Sequence, residues 1–239
     1  MSYRSRGQNI SRVSFEGSGE SGGYVIVKWL GHSCFLITSM GGVRIITDPY
    51  TVGGGINYSP IEETADIVVV SHSHGDHSNV SAVHGTPEVV KGNGTKTAKG
   101  IQFRGIATYH DASQGKQRGP NTIFCFNIDD LKLCHLGDLG HMLSPAQIDE
   151  IGAVDILFVP VGGLYTIDAS VASQVCDQLK PKVVVPMHFK TPKCDAPLAG
   201  VEDFLRGKKD VKRAGHSESE FKRERLPAVT EIVLLQPAL

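Results

Sequence analysis

No stretch of this 239-residue chain stays apolar over the roughly 18–20 residues that a helix needs to span a bilayer, and the N-terminus carries no apolar core of a secretory signal. A soluble, cytoplasmic protein is expected. Charge of one sign is also lacking: 24 Lys and Arg stand against 25 Asp and Glu, a formal net charge of -1. That balance offers no electrostatic footprint for nucleic acid or for an acidic membrane surface. Cysteine is sparse and oddly numbered. Cys34, Cys125, Cys134, Cys176 and Cys194 form no CxxC pair, which argues against a disulfide framework and a cysteine zinc site and for a reducing compartment. Nor does the chain repeat itself with a period of 20–50 residues.

What is present suits one large α/β domain or two small ones, since 40% hydrophobic content over this length can bury a substantial core. Residues 1–23 are rich in Ser, Gly and Arg without periodic apolar positions and read as a flexible N-terminal leader; residues 24–239 read as the folded domain. The domain opens with strand-like runs at Tyr24 to Trp29, Cys34 to Ile37 and Val43 to Thr47, a β-meander. Beyond it, apolar strands alternate with helical patterns, as in helices layered on sheet. The clearest helix runs from Asp168 to Leu179, with Asp168 as N-cap, Val171, Val175 and Leu179 on one face, and Pro181 as stop. A shorter helix begins at Ser144 with Pro145 in its first turn. Val201 to Arg225 reads as a helix followed by a charged surface loop.

The densest chemistry lies in Ser71-His72-Ser73-His74-Gly75-Asp76-His77, which ends the β-branched run Ile67 to Val70. Three imidazoles so close would repel on protonation, and neutral imidazole is the commonest ligand for zinc-like metals. His72 and His74, two apart in an extended segment, would share a side and grip one ion. Asp76 and His77, beyond the flexible Gly75, can swing toward a second. Other metal-type side chains sit where apolar runs end: His110 after Gly105 to Tyr109, Asp138 after Leu131 to Gly137, His188 after Lys182 to Met187, and Asp48 after Val43 to Thr47. In α/β sheets, functional groups gather beyond the carboxyl ends of strands. One arrangement satisfies the chemistry: His72, His74 and His110 on a first ion, Asp76, His77 and His188 on a second, and Asp138 bridging both. Asp48 is expected to fix a ligand histidine's tautomer. His135 and His141, flanking Asp138, compete for a ligand or substrate role against a packing one, whereas His84 and His216 lie in polar surroundings and read as inert.

The HxHxDH run at 72–77, with Asp48, His110, Asp138 and His188 around it, resembles the metallo-β-lactamase superfamily. Trp29-Leu30-Gly31-His32-Ser33-Cys34-Phe35, His135 to His141, Pro160 to Thr166 and Pro186-Met187-His188-Phe189-Lys190 are similar to the branch of metal-dependent hydrolases related to the ascorbate-6-phosphate lactonases. The resemblance implies a four-layer αββα sandwich with a dinuclear site along one edge. It also implies hydrolysis of an ester, lactone or phosphodiester in a small-molecule substrate by a hydroxide held between two divalent ions. Asp76 and Asp138 would be the catalytic carboxylates, and His32, Tyr165 and Thr166 would contact substrate. Zinc is the first expectation for the ions, with manganese or iron next. A homo-oligomer is expected from the resemblance alone. Two other classes compete: a metal-binding sensor or interaction module without turnover, and redox chemistry on iron.

Overall fold

The computed structural model describes residues 22–239. Most of the expected leader, residues 1–21, lies outside the described residues. The chain runs through β1 (Tyr24–Gly31), β2 (Cys34–Ser39), β3 (Arg44–Thr47), β4 (Ile67–Val70), β5 (Glu88–Lys91), β6 (Gly94–Ala98), β7 (Ile101–Tyr109), β8 (Pro120–Ile128) and β9 (Leu131–His135). It continues through α1 (Pro145–Ile151), β10 (Ile156–Pro160), α2 (Ala169–Leu179), β11 (Val183–Met187), α3 (Val201–Leu205), β12 (Val211–Arg213), β13 (Glu218–Lys222) and β14 (Glu231–Leu234). The strands form two mixed sheets, ordered β13-β1-β2-β3-β4-β5 and β12-β14-β11-β10-β9-β8-β7-β6.

Local patterning explains the first sheet. In β1 half-buried Tyr24, Ile26 and Lys28 alternate with buried Val25, Val27 and Trp29, the period of a strand with one face on a core. β1, β2 and β3 pair antiparallel as the expected meander, with Val27 opposite Ile37 and Ile37 opposite Ile45. β4 then joins β3 in parallel. It is apolar at all four positions because both faces are covered. Val25, Val27, Trp29, Phe35, Ile37, Ile45 and Val69 meet Phe103, Phe124, Leu133 and Phe158 of the second sheet in the main core.

The α/β sandwich is thus as expected, but its outer layers differ. α2 connects the parallel neighbours β10 and β11. Its Ala172, Val175 and Leu179 join the main core. Leu36, Ile46, Val68 and Val70, on the other face of the first sheet, pack instead on Tyr50, Ile56, Tyr58, Ile61, Cys194 and Leu198 from loops. Coil rich in buried aromatic and aliphatic side chains does there what a helix would do. One sequence expectation is corrected: in the 201–225 region the helix stops at Leu205, and β12 and β13 replace the surface loop. β13 lies antiparallel to β1, with Phe221 opposite Val25. All five cysteines are free thiols. Among the described residues, no helix is long and apolar enough to cross a membrane.

Candidate metal centre

Every candidate ligand leaves a strand end or the turn beyond it. Asp48 follows β3, residues 72–77 follow β4, His110 follows β7, Asp138 lies three residues past β9, and His188 follows β11. The 71–77 run is a tight succession of bends and turns, not the extended segment anticipated. His72 and His74 nonetheless converge, with His72 Nε2 3.1 Å from His74 Nδ1, because the turn folds them edge to face.

The donors gather in overlapping groups around one oxygen. His72, His74 and His110 form the first; His32, Asp76, His77 and His188 form the second; Asp48, His72 and His77 form a third that joins them. Asp138 Oδ2 stands between them, 3.0 Å from His110 Nε2, 3.2 Å from His77 Nε2, 3.3 Å from His188 Nε2 and 4.0 Å from His72 Nε2. The seven expected ligands are thus brought together, with His32 beside Asp76, His77 and His188.

Supporting side chains aim these donors. Ser71 Oγ donates to Asp48 Oδ2 at 2.6 Å and lies 2.9 Å from His72 Nδ1, while Asp48 Oδ2 is 3.0 Å from His77 Nδ1. Both imidazoles therefore turn Nε2 toward Asp138. Asp48 acts as anticipated on His77; Ser71 escapes sequence reasoning, because a serine beside a histidine gives no signal of direction. Asn121 escapes it too: its Oδ1 accepts from Asp138 N at 3.0 Å, and its Nδ2 donates to Thr108 Oγ1 and Leu136 O. Asp48, His32 and His188 all have positive φ (40°, 52° and 51°). Backbone strain of this kind concentrates where side chains must be aimed.

Electrostatics set two buried carboxylates among imidazoles. Burial opposes ionisation of Asp138, yet His188, His77 and His110 hold its carboxyl well below the usual range. Burial likewise opposes a charged His77, but Asp138 and Asp48 hold it well above 6.5. His72 goes the other way: burial, then His77, takes it down to about 3. The carboxylates demand positive charge at their centre, which a divalent cation supplies as well as an imidazolium does.

The residues fit such a cation. Asp138 Oδ1 and His77 Nε2 are buried without a hydrogen-bond partner, a costly state unless another group satisfies them. A tetrahedral ion with metal–nitrogen bonds of about 2.0–2.1 Å separates its donors by about 3.3–3.4 Å, close to the spacings around Asp138 Oδ2. Mixed imidazole and carboxylate donors suit zinc, iron or manganese.

Beside the second group opens a cavity of about 680 Å³, lined by His32, Asp76, His188, Tyr165, Ile56 and the glycine loop 53–55 among others. Tyr165 is on this wall as expected, with the Arg118 guanidinium 4.0 Å over its ring. Thr166 is not: the turn after Gly163 points its hydroxyl at Ile167 O, 3.3 Å away. His32, anticipated at the rim, is buried in the wall. His135 has a packing role, with Nε2 3.0 Å from Ser33 O and Nδ1 accepting from Gly137 N. His141 is likewise tied to backbone, outside all three groups, and His84 and His216 are exposed. Asp111, also unremarkable in the sequence, accepts from the backbone N–H of Ser113, Gly115, Gln117 and Arg118, clasping the loop that follows His110.

A two-sheet sandwich with this donor set along its edge defines a metallohydrolase-type fold, and comparison with known proteins agrees. The family described as "Beta-lactamase superfamily domain" matches residues 26–188, and the chain belongs to that family. It is 30% identical to a UPF0173 metal-dependent hydrolase of Pelotomaculum thermopropionicum, over 69% of this chain and 84% of that protein. It is 28% identical to one of Thermococcus onnurineus, over 70% and 85%. A solved structure from Thermotoga maritima, described as belonging to the metallo-β-lactamase superfamily, superposes with a TM-score of 0.73 at 38% identity, covering 88% of this chain and 98% of its own.

Proposed function

We propose that this metal-dependent hydrolase cleaves an ester, lactone or phosphodiester in a small molecule, with two divalent ions, zinc first and manganese or iron as alternatives. The observation that supports the reading is that His72, His74 and His110 cluster together, as do Asp76, His77 and His188, with Asp138 Oδ2 within 3.3 Å of imidazoles from both clusters. His72, His74 and His110 would hold one ion, Asp76, His77 and His188 the other, and Asp138 both. When bound, such ions would polarise a substrate oxygen and lower the pKa of a water from 15.7 toward about 7.

The chain's own residues do the rest. Asp48 and Ser71 keep His77 and His72 turned inward. The Asp76 side chain is 38% exposed toward the cavity, positioned to orient the attacking water and take up its proton. Tyr165 and the glycine loop border the space where the substrate would lie, and the cavity suits a small molecule. The motifs that resemble the lactonase branch in the sequence favour lactones among the candidates. The free cysteines fit a cytoplasmic setting.

The test is turnover of metal-reconstituted protein on a panel of lactones, carboxylic esters and phosphodiesters, beside Asp138→Asn and Asp76→Asn. Turnover on at least one class is expected, with Asp76→Asn slower by at least about 10²-fold, because it removes a general base and also a donor to the second ion. Asp138→Asn should hold less metal and lose activity altogether. Fully metallated protein inert on every class would instead indicate a metal-binding module.

A further inference from the structure

Some donors at the centre have a neighbour that aims them, whereas the outer Nδ1 atoms of His110 and His188 have no hydrogen-bond partner. His72 has Ser71, His77 has Asp48, and Asp138 is tied through its own N–H to Asn121. Asp76 is half-buried on a turn. Apart from His77 Nε2 at 3.7 Å, the one polar side-chain atom paired with its carboxylate among the described residues is His32 Nε2, 3.3 Å from Oδ2.

His32 is itself held with unusual care. It occupies the β1–β2 turn at a φ of 52°, after Gly31 at 136°, where the Tyr58 ring leaves no room for a side chain. Its carbonyl accepts from Trp29 Nε1 at 3.0 Å and from His188 N at 3.2 Å, so this turn is joined to the one that carries His188. The ring is 3% exposed, lies 4.2 Å from the His188 ring and 5.0 Å from the His77 ring, and has no hydrogen bond of ordinary geometry at either nitrogen. A buried imidazole on a strained backbone needs a compensating partner. The Asp76 carboxylate is the acceptor within reach, slightly beyond the usual N–H···O length.

We propose that His32 is a positioning residue for the second ion: its Nε2–H donates to Asp76 Oδ2 and holds that carboxylate toward His77 and His188. The proposal rests on the two-ion reading above. Although His32 lies among the donors of the second group, the proposal assigns it no bond to the ion and gives its Nε2 to Asp76 Oδ2, 3.3 Å away.

Cobalt titration by calorimetry and X-ray absorption on the full chain tests it, using His32→Ala, His32→Gln, Asp76→Asn and the His32→Ala/Asp76→Asn double variant. Removing such a support costs about 10–100-fold in metal affinity. The expected result is that loss for the second cobalt alone in His32→Ala, and most of it recovered in His32→Gln, whose amide restores a donor. The imidazole count per saturated cobalt should be unchanged, and His32→Ala should add nothing in the Asp76→Asn background. One imidazole fewer at saturation would make His32 a direct ligand and overturn the proposal. Equal weakening of both ions, or the same loss without Asp76, would reduce its role to packing and also overturn it. Unchanged affinity in His32→Ala, with wild type binding two ions, refutes this proposal alone; a wild type that takes up only one refutes the two-ion reading with it.

Discussion

A carboxylate with three imidazole nitrogens within 3.3 Å depends on how they are aimed, and at the scale of the residue hydrogen bonds supply part of that aim: Asp48 holds His77, while Nδ1 of His110 and of His188 has no hydrogen-bond partner. Ser71 is the clearest case, since one hydroxyl touches both Asp48 and the outer nitrogen of His72. Ser71→Ala should weaken metal binding by about 10–100-fold while the fold persists; competition against a chromophoric chelator would show it, and unchanged affinity would remove Ser71 from the account. The clustering of the candidate ligands was legible in the sequence because histidines crowded at strand ends repel one another on protonation unless a metal holds them. Ser71, Asn121 and Asp111 were not, because their roles depend on atoms brought close only by folding. Thr166 shows the opposite error: it is adjacent in sequence to the cavity wall, yet its hydroxyl is turned to the main chain.

At the scale of the element, local chemistry predicted the helices better than the edge strands. Asp168 caps α2 by accepting from Val171 N at 2.9 Å, and Ser144 with Gln147 forms a capping box on α1. Asp168→Ala should therefore cost about 1 kcal/mol, measured as a shift in urea midpoint with unchanged slope. β13 escaped notice because Phe221 is its one buried residue among charged and polar neighbours, so the alternation of a strand is submerged in a pattern that reads as loop. The loop layer over the first sheet is fastened by Glu63, 2.7 Å from Lys28 of β1 and also bonded to Arg44 of β3. Burial opposes its ionisation, but Lys28 and Arg44 together hold its carboxyl below the ordinary value. A depressed folded pKa contributes stability above the unfolded value of about 4.3 and loses it as pH falls through the folded one. Glu63→Gln should cost no more than about 1 kcal/mol at pH 7, as expected of a partly exposed pair. That difference should shrink below about pH 4.3; urea unfolding at pH 7 and at pH 3.5 checks both, and a pH-independent difference would contradict it.

Across the whole molecule, the donors come from segments as distant as His32 and His188, so the centre exists only when both sheets are in register. The parallel pairing of β3 with β4, and of β9, β10 and β11, lays strand ends along one edge, and the ligands follow from that topology. The α/β layering was foreseeable from the alternation of apolar and helical runs and the edge from where those runs stop, while the sandwich followed from the family resemblance; the covering of the first sheet was not foreseeable, because coil with buried Tyr50 and Tyr58 has no period to read. The central claim is that this edge holds two ions that turnover needs. Elemental analysis of protein purified without chelator, with hydrolysis followed before and after chelator treatment, measures it directly. About two ions per chain and turnover that vanishes with chelator and returns with zinc or manganese is the predicted result. One ion or none per chain, or activity indifferent to the chelator, would contradict the account.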